Sequence, residues 1–158
     1  MKTKYLLPAR FKKIGWIILI PSIIIGIPTA IFDWNPSFLD VHILTLFADN
    51  WGSKNTFFEV IENNLLNELM GIFTIIGGLL VAFSREPDED ELITKMRLES
   101  LVWAVYWNYG ILMVAFLSLY DMSFYWVMVF NMFTPLILFI IKFNWTISGF
   151  RTSLSHEE

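Results

Sequence analysis

Cysteine is absent from this chain of 158 residues, which excludes disulfides, thiolate nucleophiles and thiolate zinc sites. Charge is scarce: 16 % of residues are Asp, Glu, Lys or Arg, against ~25 % in a soluble domain. Histidine occurs only as His42 and His156, too far apart in sequence to suggest a metal site. No nucleophile–base pair, phosphate loop or metal-ligand cluster stands out. No enzyme activity, catalytic residue, cofactor or metal is therefore expected, and no nucleic-acid partner. What fills the chain instead is apolar: 56 % hydrophobic residues and a mean hydropathy of +0.57.

A helix crossing the hydrocarbon core of a bilayer needs ~20 mostly apolar residues. Four windows meet this, at about 14–32, 64–83, 100–120 and 122–141. Barrel strands would be about half as long and would alternate. The expected fold class is an all-α membrane protein: one integral membrane domain over 1–158, with four transmembrane helices and a small β-hairpin outside the cytoplasm. Lys and Arg set the direction, because positive loops stay cytoplasmic. Ten of the eleven fall before the first window, between the second and third, or after the fourth; Lys54 alone lies in the first loop. This predicts cytoplasmic N- and C-termini in a cell membrane, the bacterial inner membrane. The basic start also resembles a signal peptide. The apolar run exceeds the ~7–15 residues of a signal core, and Pro28-Thr29-Ala30 is a poor cleavage site, so a retained helix is expected. Trp34, Trp51, Tyr120, Tyr125 and Trp126 cluster near one predicted boundary, and Tyr5, Trp16, Trp103 and Trp145 near the other, as interfacial aromatics do.

The outer loop, 33–63, is acidic. Two β-branched and aromatic runs, 41–47 and 56–61, flank a turn-rich stretch at 49–55. A surface hairpin is the favoured reading, with an interfacial helix over 38–47 as the alternative. The cytosolic loop, 84–99, contains Glu86, Asp88, Glu89, Asp90 and Glu91. Asp88 followed by Glu91 resembles a capping box, which predicts a helix from Asp88 running unbroken into the third span. The acids read either as a solvated helix start or as a docking surface for a basic partner, the chain's own segment 2–13 included. An EF-hand is excluded by spacing and by the missing central glycine. Asp121-Met122-Ser123 is so short a link that spans three and four must be antiparallel neighbours.

In lipid, helices associate through close packing and hydrogen bonds. Span two carries a small-residue stripe, Asn67, Gly71, Thr74, Gly78 and Ala82. Span three carries Ser100, Ala104, Asn108, Ile111, Ala115 and Ser118 on one face. Asn108 and Asn131 fall at similar depth, counting ~1.5 Å per residue. They read as a structural clamp or as a polar ligand site. Glu68 sits roughly one turn inside span two, where acids are rare, yet shallow enough to reach water. Pro21 and Pro135 predict kinks in spans one and four, with Ser22 or Thr134 serving a freed carbonyl.

The stretches 76–86, 89–91, 97–104, 108–109 and 129–133, which include Gly77-Gly78, Ser84-Arg85-Glu86 and Arg97-Leu98-Glu99, resemble a set of small bacterial four-span membrane proteins. The resemblance covers roughly the last hundred residues. That family has no assigned activity, so the likeness implies architecture alone.

Three functions compete. The first is a non-enzymatic membrane component, a sensor, regulator or assembly subunit, that touches a membrane or cytosolic protein partner through the acidic helix start. The second is a small transporter or channel, working as a homo-oligomer, with Glu68, Asn108 and Asn131 along a polar path. The third, a membrane enzyme, lacks any recognisable chemistry. In all three the lipid bilayer is the surrounding partner.

Overall fold

The apolar runs form helices because nothing in them competes with the backbone's own hydrogen bonds. The computed structural model describes residues 6–32, 34, 36–48, 56–87 and 90–156. Among these, α1 spans Arg10–Phe32, α2 Leu66–Ala82, α3 Glu91–Ser118, α4 Asp121–Asn131 and α5 Thr134–His156; two strands, β1 Asp40–Ala48 and β2 Thr56–Asn64, lie between α1 and α2. Helices α1 and α3 are each long and apolar enough to cross a membrane. The pair α4 and α5 passes the same test together, though bent by 47°. Helix α2 is apolar but has only 17 residues, about 25 Å of rise. Contacts divide the chain into two compact units, Met1–Leu19 with Thr74–Glu158, and Ile20–Phe73.

The first unit is built around α3 and α5. Helix α3 begins where Asp90 caps it: the carboxylate accepts from Ile93 N–H at 2.8 Å. The expected cap at Asp88 is thus displaced by two residues, and Asp88 itself lies outside the described residues. Ile93, Arg97, Ser100, Ala104, Asn108 and Ala115 form the buried row of α3. Ile111 and Ser118, assigned to that face from spacing, are exposed. Facing this row, α5 buries Phe139, Ile140, Phe143 and Ile147, and the rings of Phe139 and Phe143 stack with centroids 5.6 Å apart.

The fourth window is two helices rather than one. Thr134 Oγ1 donates to the Phe130 carbonyl at 2.9 Å. Met132 and Phe133 close short turns onto Val129 and Phe130. Pro135 then falls at the second position of α5, where its missing N–H costs nothing. The expected kink is therefore a break, and α5 runs on to His156, well past 141. The link between α3 and α4 is Leu119-Tyr120, and Asp121 already starts α4 with φ 56°.

Small residues set the spacing of α1 and α2. A Cβ on Gly15 would lie 2.8 Å from Val81 N, and one on Gly77 would lie 2.8 Å from Leu19 N. Backbone there meets backbone, the close approach that helix pairs in lipid favour. Within the predicted stripe of span two, Thr74, Gly78 and Ala82 are buried, while Asn67 is exposed. Gly78 faces Leu136 of α5. The stripe omitted Gly77, which faces α1.

In the second unit, β1 and β2 pair antiparallel from Asp40↔Asn64 to Ala48↔Thr56. This is the hairpin, not the interfacial helix; its turn, 49–55, lies outside the described residues. Phe58 has φ 57°, unusual for a bulky residue. Asn64 ties the base of the hairpin, donating to the Pro36 carbonyl at 2.8 Å and to Asp40 Oδ1 at 2.7 Å. Its own Oδ1 accepts from Leu66 N–H at 3.1 Å, where α2 starts. Helix α1 passes through Pro21 and Pro28 without ending. Thr29, wholly buried, donates to the Ile25 and Gly26 carbonyls.

Gly77→Val should destabilise the fold by about 1–3 kcal/mol, because the added atoms meet backbone that cannot yield. Gly110→Val should be nearly neutral, since nothing lies within 4 Å of its Cβ position. Thermal unfolding of the two variants in mild detergent checks the contrast.

Candidate functional site

At two places in the first unit, polar side chains from different elements meet. One lies where α2 ends. The segment before α1 pairs with the segment after α2: Leu7 N–H donates to the Phe83 carbonyl and Arg85 N–H to the Leu7 carbonyl, both at 2.9 Å. This pairing positions Glu86, the residue after Arg85. The first turn of α1 then brings Lys12 to Glu86 Oε1, and the last turns of α5 bring Arg151 to Oε2 at 3.2 Å. The Glu86 side chain is 2 % exposed, that of Lys12 19 % and that of Arg151 48 %. A carboxylate so removed from water requires cations, and among the described residues Lys12 and Arg151 reach it from opposite ends of the chain.

Arg97 is the third cation here. Nη1 donates to the Ala82 carbonyl at 2.8 Å and Nη2 to the Ser84 carbonyl at 3.3 Å. Its guanidinium lies 4.3 Å from the centroid of the Phe143 ring. It therefore closes the carboxyl end of α2, where free carbonyls and the helix dipole favour a cation, and rests on an aromatic face. In the sequence Lys12 belongs to the basic segment 2–13 named as a possible partner of the acids, whereas Arg97 and Arg151 are given no site role. A signal for Arg97 was present: it stands one turn after Ile93 and one before Ser100, on the buried row.

Of the five acids read as a partner surface, Glu86 is not on the surface. It is buried against Lys12, a residue of the basic segment 2–13, and against Arg151. Asp90 is exposed and caps α3; Glu91 is exposed in the first turn. Asp88 and Glu89 lie outside the described residues. Lys95 and Glu99 approach to 3.9 Å.

The second polar place joins Asn108 of α3 to Asn131, the last residue of α4. Asn131 Nδ2 donates to Asn108 Oδ1 at 2.9 Å, and Asn108 is buried. Glu68 belongs to the other unit. It is exposed in the first turn of α2 and accepts from Asn63 Nδ2 at 2.8 Å. A carboxylate there complements the helix dipole, so a structural reason suffices. His42 pairs across the hairpin with Glu62 at 2.8 Å, both exposed. Among the described residues, no three His, Asp or Glu side chains are grouped to hold a metal ion. Neither a family model, a curated protein nor a solved structure matches the chain.

Three outcomes follow from this geometry. Lys12→Gln should cost about 3 kcal/mol, because it strips the less exposed cation from a buried carboxylate. Arg151→Gln should cost under about 1 kcal/mol, its charge being half in water. Unfolding of both variants in detergent gives the order. In a double-mutant cycle, Asn108→Leu and Asn131→Leu should couple by about 0.6–2 kcal/mol; additive losses would mean that the hydrogen bond contributes nothing.

Proposed function

We propose that the chain is a non-enzymatic integral membrane component, a sensor, regulator or assembly subunit, that crosses the bilayer four times with both termini in the cytoplasm. One observation carries this reading. The helices turn apolar side chains outward and bury polar ones among the apolar core: Ile17, Phe32 and Leu117 are 71 %, 78 % and 79 % exposed, while Ser22, Thr29, Asn108 and Arg97 are buried. Scattered exposed apolar residues are ordinary in any protein, but whole helical faces of them are not. Lipid is the solvent in which such faces are stable and buried hydrogen bonds hold helices together.

With α2 as the second crossing and the bent pair α4–α5 as the fourth, the ten-to-one division of Lys and Arg places Glu86, Arg97 and Arg151 on the cytoplasmic side. Partner contact then falls to the exposed acids at the start of α3, Asp90 and Glu91, with Asp88 and Glu89 beside them in sequence. Resemblance to small bacterial four-span proteins agrees with this architecture. The transporter reading draws support from one feature: the break between α4 and α5 lies directly beside Asn131, and broken helices often line substrate sites.

Reporter fusions at Lys54 and after Glu158 should give signals from opposite sides of the membrane; equal signals would refute the four-span topology. Affinity purification in mild detergent should recover a basic partner. Replacing Glu89 and Glu91 with Gln, with the Asp90 cap intact, should weaken its recovery while insertion stays normal.

A further inference from the structure

A groove of about 580 Å³ runs along the first turns of α3. Its character changes along the helix. Glu91, Thr94 and Lys95 line one end; Leu98 and Leu101 follow, and Phe83 and Phe139 complete the apolar part. Arg97 also lines it, with its guanidinium already donating to the Ala82 and Ser84 carbonyls.

Helix α3 has 28 residues, about 42 Å of rise, against a hydrocarbon core of ~30 Å. Its charges are confined to Glu91, Lys95, Arg97 and Glu99, so the excess length must lie at that end. The boundary between water and hydrocarbon then falls within the groove. A molecule filling it would have its polar part beside Glu91 and Lys95 and its apolar part beside Leu98, Leu101 and Phe139.

The charges at the polar end narrow the choice. Lys95, whose side chain is 72 % exposed and approaches Glu99 only to 3.9 Å, offers a cation to a phosphate. Glu91, one turn away, offers an anion. A headgroup of net negative charge, with its phosphate at Lys95, would bring Glu91 no cation. A choline headgroup balances the charges but has no N–H to donate to a carboxylate. A primary ammonium does both, and charge-assisted hydrogen bonds are the stronger kind.

We infer that this groove binds a zwitterionic aminophospholipid of the surrounding leaflet, with its phosphate at Lys95, its ammonium at Glu91 and an acyl chain along Leu98, Leu101 and Phe139. The inference rests on the membrane reading above. Native mass spectrometry of the detergent-purified chain tests it, with phosphatidylethanolamine, phosphatidylcholine and phosphatidylglycerol of matched acyl chains supplied at equal ratio. Phosphatidylethanolamine should be retained about tenfold over the other two, the equivalent of one good hydrogen bond. Glu91→Gln should abolish its advantage over phosphatidylcholine, and Lys95→Gln should lower retention of all three. Glu62→Gln makes the same charge change in the hairpin, outside the groove lining, and should leave the preference intact. Equal retention of the three lipids, preference for phosphatidylglycerol, or a Glu62→Gln effect equal to that of Glu91→Gln would overturn the proposal. Alkaline carbonate extraction separates the two readings: a chain released from membranes refutes membrane insertion itself. A chain that resists extraction yet retains no phospholipid refutes the groove alone.

Discussion

A carboxylate with almost no exposure to water needs fixed cations around it, and Glu86 draws them from both ends of the chain. Lys12 enters from the first turn of α1 and Arg151 from the last turns of α5. Both can meet Glu86 only if the segment after α2 is held in place, which the pairing of Leu7 with Phe83 and Arg85 accomplishes. Arg97 completes the arrangement by closing the carbonyl end of α2 and packing on Phe143. Such ion pairs add little net stability compared with an apolar core, because desolvation offsets attraction. Their effect is to penalise arrangements in which any one of these elements is misplaced.

Away from this cluster, geometry rests on small side chains and single hydrogen bonds. Gly15 and Gly77 let α1 and α2 approach to backbone contact. Asn108 and Asn131 fasten α3 to the end of α4 at the point where the chain bends into α5. These are interactions suited to an apolar solvent, where burying more leucine gains nothing and an unmet polar group is costly. The same solvent argument joins the proposed function to the lipid groove. In both, α3 is a helix whose first turns belong to water and whose remainder belongs to hydrocarbon.

Much of this organisation was legible in the residues. Apolar run length marked the helices, turn formers between two β-branched runs marked the hairpin, and the placement of Asn108 and Asn131 anticipated their hydrogen bond. Each rests on local pattern or on simple counting along a helix. The basic segment 2–13 was legible as a partner for the acid run, and Lys12 does pair with Glu86; which acid of the run would be buried, and the approach of Arg151, were not. The acids from Glu86 to Glu91 look alike as a run, and nothing local distinguishes the buried Glu86 from the exposed Asp90 and Glu91.

The sequence by itself determined that this chain is a set of apolar helices with a short sheet. Those properties follow from periodicity, composition and backbone propensity, which neighbouring residues carry. Only the tertiary structure decided that Lys12 and Arg151 enclose Glu86, that Arg97 caps a helix it does not belong to, and that the last apolar window breaks beside Asn131. Each of these depends on which distant groups compete for the same carbonyl or carboxylate, and that competition is resolved only when the helices pack.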